Sequence, residues 1–260
     1  MQTEKPIVWS YGGGTQSIAI ALLIAQGKLP KPDMIVFADT GREASETFEY
    51  TEQHVAPLLA TLALAIETAP HDLSKVDLYK RSEQKETLLI PAYTQSGKLS
   101  NFCSNEWKLR VVRRYIRAKG VQQCVNWLGM STDEVERLHP SDVQWCETHW
   151  PLCDMPVSAK YGVSMSRVMC KQFILDFGWP EPPKSSCWMC PHRRSAQWQR
   201  LKMLYPADFA KAVALDKEVR AKDTQGGVWL HEDRRPLDEI DFSRDNQPSL
   251  FGCESGFCWT

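Results

Sequence analysis

Three consecutive glycines, Gly12-Gly13-Gly14, stand between a short apolar run, Ile7-Val8-Trp9, and a longer one from Ile18 to Ala25. The first run is strand-like, and Ile18, Leu22 and Leu23 recur at helical spacing immediately after the loop. A strand that enters glycines and leaves as a helix has the shape of a phosphate cradle. Glycine lets backbone approach an anion closely, and the first amides of the helix point at it with the positive end of the helix dipole behind them. Ser10, Thr15 and Ser17 add hydroxyl donors. A tight strand-to-helix turn without a ligand has the same local pattern. No Lys-Ser or Lys-Thr pair follows the glycines, so the loop is not of the Walker type.

The 260 residues are long enough for one large domain, or for one domain with a small appendage. A formal charge of −1 supplies no global attraction to nucleic acid or membrane, so any anion site must be a local arrangement of cations. No apolar run approaches the roughly 20 residues of a membrane span. Met1-Gln2-Thr3-Glu4-Lys5 lacks the basic-then-apolar order of a signal peptide, and the expectation is a cytoplasmic protein without a membrane partner. Nine cysteines are many for such a chain; in a reducing compartment, thiols grouped in sequence are metal or cluster ligands or redox groups more often than structural disulfides.

Met34 to Ala38 reads as a second buried strand closed by Asp39-Thr40-Gly41. A continuous apolar run ending in an acid and a glycine suits a parallel strand whose carboxyl end faces a ligand crevice. Asp39 there either holds a ribose hydroxyl or a metal, or caps the helix that Glu46 and Thr47 open and that ends near Ala60. Leu62 to Glu67 is a third candidate strand. Residues 70–98 read as a polar, irregular loop over the site, with an apolar patch at Thr87 to Ala92. Leu109 to Lys119 is the most basic helix, carrying Arg110, Arg113, Arg114, Arg117 and Lys119 behind Lys108; its cations are a solvated face or partners of anionic oxygens. Val121 to Leu128 is a fourth strand, ending in Gly129-Met130-Ser131 and running on to Arg137. Trp145 to Met155 looks like a loop, and Ser166 to Gly178 like an amphipathic helix.

After the stiff segment Pro180 to Pro183 comes Cys187-Trp188-Met189-Cys190. A Cys-x-x-Cys turn brings two thiolates to one metal and needs two further ligands. Cys103, Cys146, Cys153, Cys170, His192, Cys253 and Cys258 are the candidates, and a redox dithiol is the alternative. Ser195 to Lys222 reads as helix broken at Pro206. Cys253 and Cys258 lie within the last eight residues, where a flexible tail can deliver a thiolate or remain inert.

Together these residues resemble the phosphoadenosine phosphosulfate reductase family of the adenine nucleotide α-hydrolase, or PP-loop ATP pyrophosphatase, superfamily. Ser10-Tyr11-Gly12-Gly13-Gly14-Thr15-Gln16-Ser17 resembles the PP-loop, Phe37 to Gly41 with Glu46-Thr47 the DTG…ET segment, and Cys103 with Lys108 a cysteine-and-lysine element. Gly129 to Arg137 resembles a segment of glycine, basic residue, acid and arginine. The resemblance implies an α/β fold, a parallel sheet with helices on both faces. It divides the chain into a nucleotide-binding domain over 1–165 and a helical C-terminal region over 166–260. An adenine nucleotide, ATP or a sulfonucleotide, sits on Ser10, Gly12, Gly13, Gly14, Thr15, Gln16, Ser17, Asp39, Thr40, Gly129 and Arg137, with magnesium where the nucleotide is ATP. By the same resemblance, Cys103, Cys170, Cys187 and Cys190 hold a [4Fe-4S] cluster, or zinc in its place. Cys258 or Cys253 is the nucleophile, and Lys108 belongs to the catalytic machinery. The partners are a small nucleotide and a thiol reductant protein or sulfur donor, with nucleic acid open as an acceptor.

Gln16 stands where ATP pyrophosphatases carry aspartate, Met130 follows Gly129 in place of a basic residue, and Cys253 precedes Glu254 instead of following it. Three readings follow. One is reduction of a sulfonucleotide by a tail thiolate. The second is ATP cleavage that adenylates an acceptor for thiolation. The third is a metal-stabilised module that binds nucleotide or nucleic acid without chemistry.

Overall fold

In the computed structural model, which describes residues 5–70, 77–83, 86–153, 160–223 and 227–244, strand β1 (Ile7–Tyr11) passes through the glycines into helix α1 (Thr15–Ala25). Strand β2 (Met34–Ala38) follows, then helices α2 (Ser45–Tyr50) and α3 (Ala56–Thr61), joined by a π-helical turn at Thr51–Val55. Pro57, in the first turn of α3, has no amide hydrogen to give and its ring crowds the carbonyl one turn back, which accounts for the widened turn there. Strand β3 (Ile66–Ala69) comes next.

Later in the chain come α4 (Arg110–Ala118), entered through a π-helical turn at Asn105–Leu109, and strand β8 (Cys124–Leu128). A 3-10 segment (Thr132–Arg137), strand β9 (Cys146–His149) and helix α5 (Arg167–Asp176) follow. The five strands form one sheet in the order β3-β2-β1-β8-β9, every neighbouring pair parallel. Alternation along the strands sorts the core into two layers. Trp9, Tyr11, Ile35 and Phe37 pack with α1, α3 and α5, while Val8, Val36 and Ala38 pack with Val111, Val112 and Ile116 of α4. The α/β fold with helices on both faces is therefore present. Helix α1 is apolar nearly all round, and Ile18 to Ile24 are all buried.

The remaining elements are short hairpins and a helix pair. Strands β4 (Tyr79–Arg81) and β5 (Glu86–Leu88) pair antiparallel, as do β6 (Tyr93–Thr94) and β7 (Gly97–Lys98), and β10 (Val228–Trp229) adds to β6. Helix α6 (Ser195–Leu204) packs on α7 (Pro206–Lys222), with the break at Pro206 as expected. Buried Asp216 on α7 accepts hydrogen bonds from the amides of Leu230 and Leu237 and from Arg220 Nε, which pins the C-terminal strand to the helix.

Two compact units result. The described residues within Met1–Thr40, Glu46–Lys75 and Trp107–Ser185 make the first, and those within Gly41–Ser45, Val76–Glu106 and Ser186–Thr260 the second. Helix α5 accordingly belongs with the sheet, packed on α1, and 76–106 with the C-terminal helices.

Three segments differ from their sequence reading. The third strand begins at Ile66, because Leu62 to Leu64 close α3: the amides of Leu62 and Leu64 both donate to the Leu59 carbonyl, and Ala63 takes a left-handed φ of 59°. Residues 146–149, expected as loop, are a fifth strand; at the sheet edge Glu147 is exposed and Thr148 and His149 are only half-buried, so the apolar run of an inner strand is absent. The described residues of 70–98 hold two hairpins instead of an irregular loop. Among the described residues no helix is long and apolar enough to cross a membrane.

Candidate nucleotide site and cysteine positions

In the sheet of the first unit, the chain leaves β1 toward β2 and β3 on one side and later returns to β8 and β9 on the other. The crevice outside the carboxyl ends of β1 and β8 is thus a topological switch point, the place where open parallel sheets bind ligands. Two segments border it: the glycine loop after β1 and residues 129–137 after β8.

The loop is built for small residues. Gly13 has a φ of 69°, and a Cβ there would lie 2.5 Å from Thr47 Cγ2; one on Gly14 would lie 3.2 Å from Ser185 Cβ. Gly14 is the N-cap of α1, with no side-chain cap and no acid in the first turn of the helix. The positive end of α1 consequently has no carboxylate of its own element to neutralise it. Ser17 turns its Oγ back to accept from the Gly12 amide at 3.0 Å, and Ser185 Oγ donates to the Gly12 carbonyl. Below the loop, Tyr11 donates to Thr51 Oγ1 at 2.9 Å, since Thr51 gives its own proton to the Thr47 carbonyl; burial pushes the Tyr11 phenol well above its ordinary range.

Gly129 touches the loop directly: a Cβ on it would stand 3.3 Å from Ser17 Oγ and 3.5 Å from Gln16 Cβ. Gln16 Nε2 donates to Glu134 Oε2 at 2.8 Å and to Ser131 Oγ at 3.2 Å. Glu134 also accepts from the Ser131 amide and hydroxyl, and its other oxygen pairs with Arg137. All four side chains are buried or half-buried, so the network locks the 3-10 segment to the first turn of α1. Ser10, also buried, donates to Asn126 Oδ1 on β8 at 2.8 Å, and among the described residues Asn126 Nδ2 has no hydrogen-bond partner.

Asp39 and Thr40 end β2; Asp39 is half-buried with its amide bonded to the Ala69 carbonyl, and Thr40 is fully buried. Lys108 is buried in the π-helical turn that precedes α4. Two cations of α4 are engaged elsewhere in the unit. Arg113 pairs with Asp142 and Ser141, and Arg117 donates to the carbonyls of Val121 and Gln122 while its guanidinium lies 4.0 Å over the Trp145 ring.

The cysteines separate. Cys170 sits on α5 inside the apolar core with Trp9 and Trp127, fully buried, and burial pushes its thiol up to about 12. Cys153 donates to the Met130 carbonyl, and Cys146 lies on β9 in register with Cys124. In the second unit, Cys187 bridges antiparallel to Glu43, the Cys190 amide closes the turn on the Cys187 carbonyl at 3.1 Å, and buried Arg193 donates to the carbonyls of Ser186 and Cys187. Cys103 donates to Asn101 Oδ1, and His192 Nδ1 accepts from Lys98. Among the described residues no three His, Cys, Asp or Glu side chains are grouped to hold a metal ion. A metal site on Cys103, Cys170, Cys187 and Cys190 is thus not shown, and Cys170 itself packs within the core of the first unit. Cys253 and Cys258 lie outside the described residues.

The chain is similar in structure to a phosphoadenylyl-sulfate (PAPS) reductase. That solved structure, from Candida auris in a phosphate complex, shares 13% identity; the match covers 72% of this chain and 83% of that one, at a TM-score of 0.45. No family model matches the chain, and neither does any curated protein.

Sequence reading missed Ser185, Asn126, Ser131 and Glu134 as individual contributors. Ser185 is 173 residues from the glycine carbonyl it bonds, and nothing in Pro183-Lys184-Ser185-Ser186 signals that contact. Asn126 had a signal: a lone amide in an otherwise apolar strand run needs a buried partner.

Proposed function

We propose that the chain is an enzyme acting on an adenine nucleotide of the sulfonucleotide class, whose phosphates sit on the loop from Gly12 to Ser17 at the switch point between β1 and β8. The observation that carries this reading is the closeness of the cradle. Gly13 has no room for a side chain and Gly14 little, the α1 N-terminus has no acid of its own, and Gly129 and Ser131 close against Gln16 and Ser17 from the second strand. Backbone amides then face the ligand, which is the chemistry a phosphate needs.

Gln16 favours the sulfonucleotide over ATP adenylation. Its amide is committed to Glu134 and Ser131, so this position brings no carboxylate to a magnesium-bound pyrophosphate. In the proposed reaction a tail thiolate, Cys258 or Cys253, attacks the sulfonate sulfur. The new S–S bond forms as the S–O bond to the phosphate breaks, and the electron pair leaves on the nucleotide phosphate. A thiol of a reductant protein then displaces sulfite and is oxidised to a disulfide with the tail. Arg137 and Lys108 are the cations proposed to hold the anionic ligand. The Cys-x-x-Cys turn with Cys103 is the proposed place of any metal, and no step depends on it.

Thr15→Asp, at the buried first residue of α1, tests the site. A carboxylate in the first turn favours α1 through the dipole but repels phosphate in the cradle. Calorimetric titration with phosphoadenosine phosphosulfate should show at least a tenfold loss of affinity, about 1.4 kcal/mol, in a variant whose tryptophan fluorescence shows it folded. Unchanged affinity would remove the loop from the site. Sulfite release in the presence of a dithiol supports the reductase reading, whereas pyrophosphate release from ATP supports the adenylating one.

A further inference from the structure

The first unit carries a second pair of cysteines that the nucleotide reading does not use. Cys124 opens β8 and Cys146 opens β9, and the two face each other in register across a parallel pair. Strands in a sheet run about 4.8 Å apart, and disulfides form between Cα atoms about 4.4–6.8 Å apart. Both thiols point to the face covered by α4, where they pack with Val8, Val111 and Ile116, and both are almost wholly buried. They begin their strands, so they sit at the amino edge of the sheet, opposite the glycine loop.

Their surroundings are not those of ordinary core cysteines. Cys124 and Cys146 lie side by side on neighbouring strands, and Arg113 and Arg117 stand on the helix above. The Arg113 guanidinium gives Nη1 to Asp142 and Nη2 to Ser141, while its buried Nε has no oxygen or nitrogen partner among the described residues. Arg117 is exposed, and its guanidinium lies over the half-buried ring of Trp145, the residue before Cys146. The neighbouring Cys124 thiol and the two guanidiniums hold the Cys146 thiol below its ordinary range, while Cys146 and burial push Cys124 up. Cys146 is thus the more readily ionised of the two thiols.

We infer that Cys124 and Cys146 form a reversible thiol-modification site, at which a small hydroperoxide converts the pair into a disulfide that ties edge strand β9 to β8. The Cys146 thiolate attacks one peroxide oxygen, the O–O bond breaks, and hydroxide leaves with the electron pair, so that Cys146 becomes a sulfenic acid. Cys124 sulfur then attacks the Cys146 sulfur; the S–O bond breaks, and the departing hydroxide takes the Cys124 proton as water. Sulfur is oxidised, peroxide is reduced, and a dithiol reductant reverses the bond by exchange.

The test is peptide mapping of the full chain after graded hydrogen peroxide, with unreacted thiols blocked by iodoacetamide under denaturing conditions and no reductant in the digest. The expected product is the Cys124 peptide linked to the Cys146 peptide, abolished by dithiothreitol. In Cys124→Ser the reaction should stop at Cys146 as a sulfenic acid trapped by dimedone. Arg113→Met should slow the oxidation of Cys146 several-fold while leaving that of Cys103 in the other unit unchanged. The proposal is overturned if both cysteines remain fully alkylated at a dose that oxidises half-buried Cys103, or if Cys146 is recovered linked to a cysteine other than Cys124. Wild-type mapping decides even where a variant fails to fold.

Discussion

Gly13→Ala places a single methyl where the loop has no space, and its cost separates into two parts. The φ of 69° is a left-handed conformation that costs an L-residue about 1–2 kcal/mol. The new Cβ would also stand 2.5 Å from Thr47 Cγ2, on a fully buried threonine of α2, and overpacking of that kind costs about 1–3 kcal/mol. The variant should therefore lose about 2–5 kcal/mol. Thr47→Ser removes the offending methyl and keeps the hydroxyl. In the double variant the steric part should return, leaving about 1–2 kcal/mol and a coupling of about 1–3 kcal/mol between the two positions. Urea unfolding of the four proteins of this cycle, followed by tryptophan fluorescence, measures both parts provided the m-values agree. If Gly13→Ala unfolds within about 0.5 kcal/mol of wild type, or if Thr47→Ser restores nothing, the close approach of loop and α2 is refuted.

Arg137→Ala should cost about 3–5 kcal/mol in the same assay, because it leaves Glu134 buried without its cation; Arg137→Lys should recover part of that, and an effect under about 1 kcal/mol would place the pair in solvent. Alkaline pH should destabilise the first unit. Burial raises the thiols of Cys153 and Cys170 from 9.0 to about 12, so their contribution is complete below pH 9 and is lost as pH rises toward 12. Each should remove about 1.4 kcal/mol by pH 10, a slope that the Cys153→Ala/Cys170→Ala protein should lack; equal slopes would contradict the burial. Cys170→Ala should also leave the metal content of anaerobically purified protein unchanged, since its thiol is enclosed by core side chains, whereas loss of iron or zinc in that variant would return Cys170 to a ligand set.

Much of the fold was legible because its signals are local. Ile7-Val8-Trp9, Met34 to Ala38 and the run to Leu128 are apolar enough to demand burial on two faces, which only a parallel sheet between helices provides. The edge strand Cys146–His149 was illegible for the same reason: Glu147 is exposed and Thr148 and His149 are only half-buried, so no apolar run marks it. Leu62 to Leu64 misled because they are apolar yet serve to close α3 against the core.

By itself the sequence determined a glycine loop between a buried strand and a buried helix, further strand ends rich in polar residues, and a Cys-x-x-Cys turn. Each of these follows from neighbours in the chain. Only the tertiary structure decided that Ser185 seals Gly12 and Gly14, that Gln16 spends its amide on Glu134, that Cys170 belongs to the core of α1 and α5, and that Cys124 meets Cys146. Those pairings depend on strand order, on register and on which face of a helix turns inward. A one-residue slip of β9 would bring Glu147 to the Arg113 side in place of Cys146, a choice made by the packing of the whole sheet and not by the residues beside it.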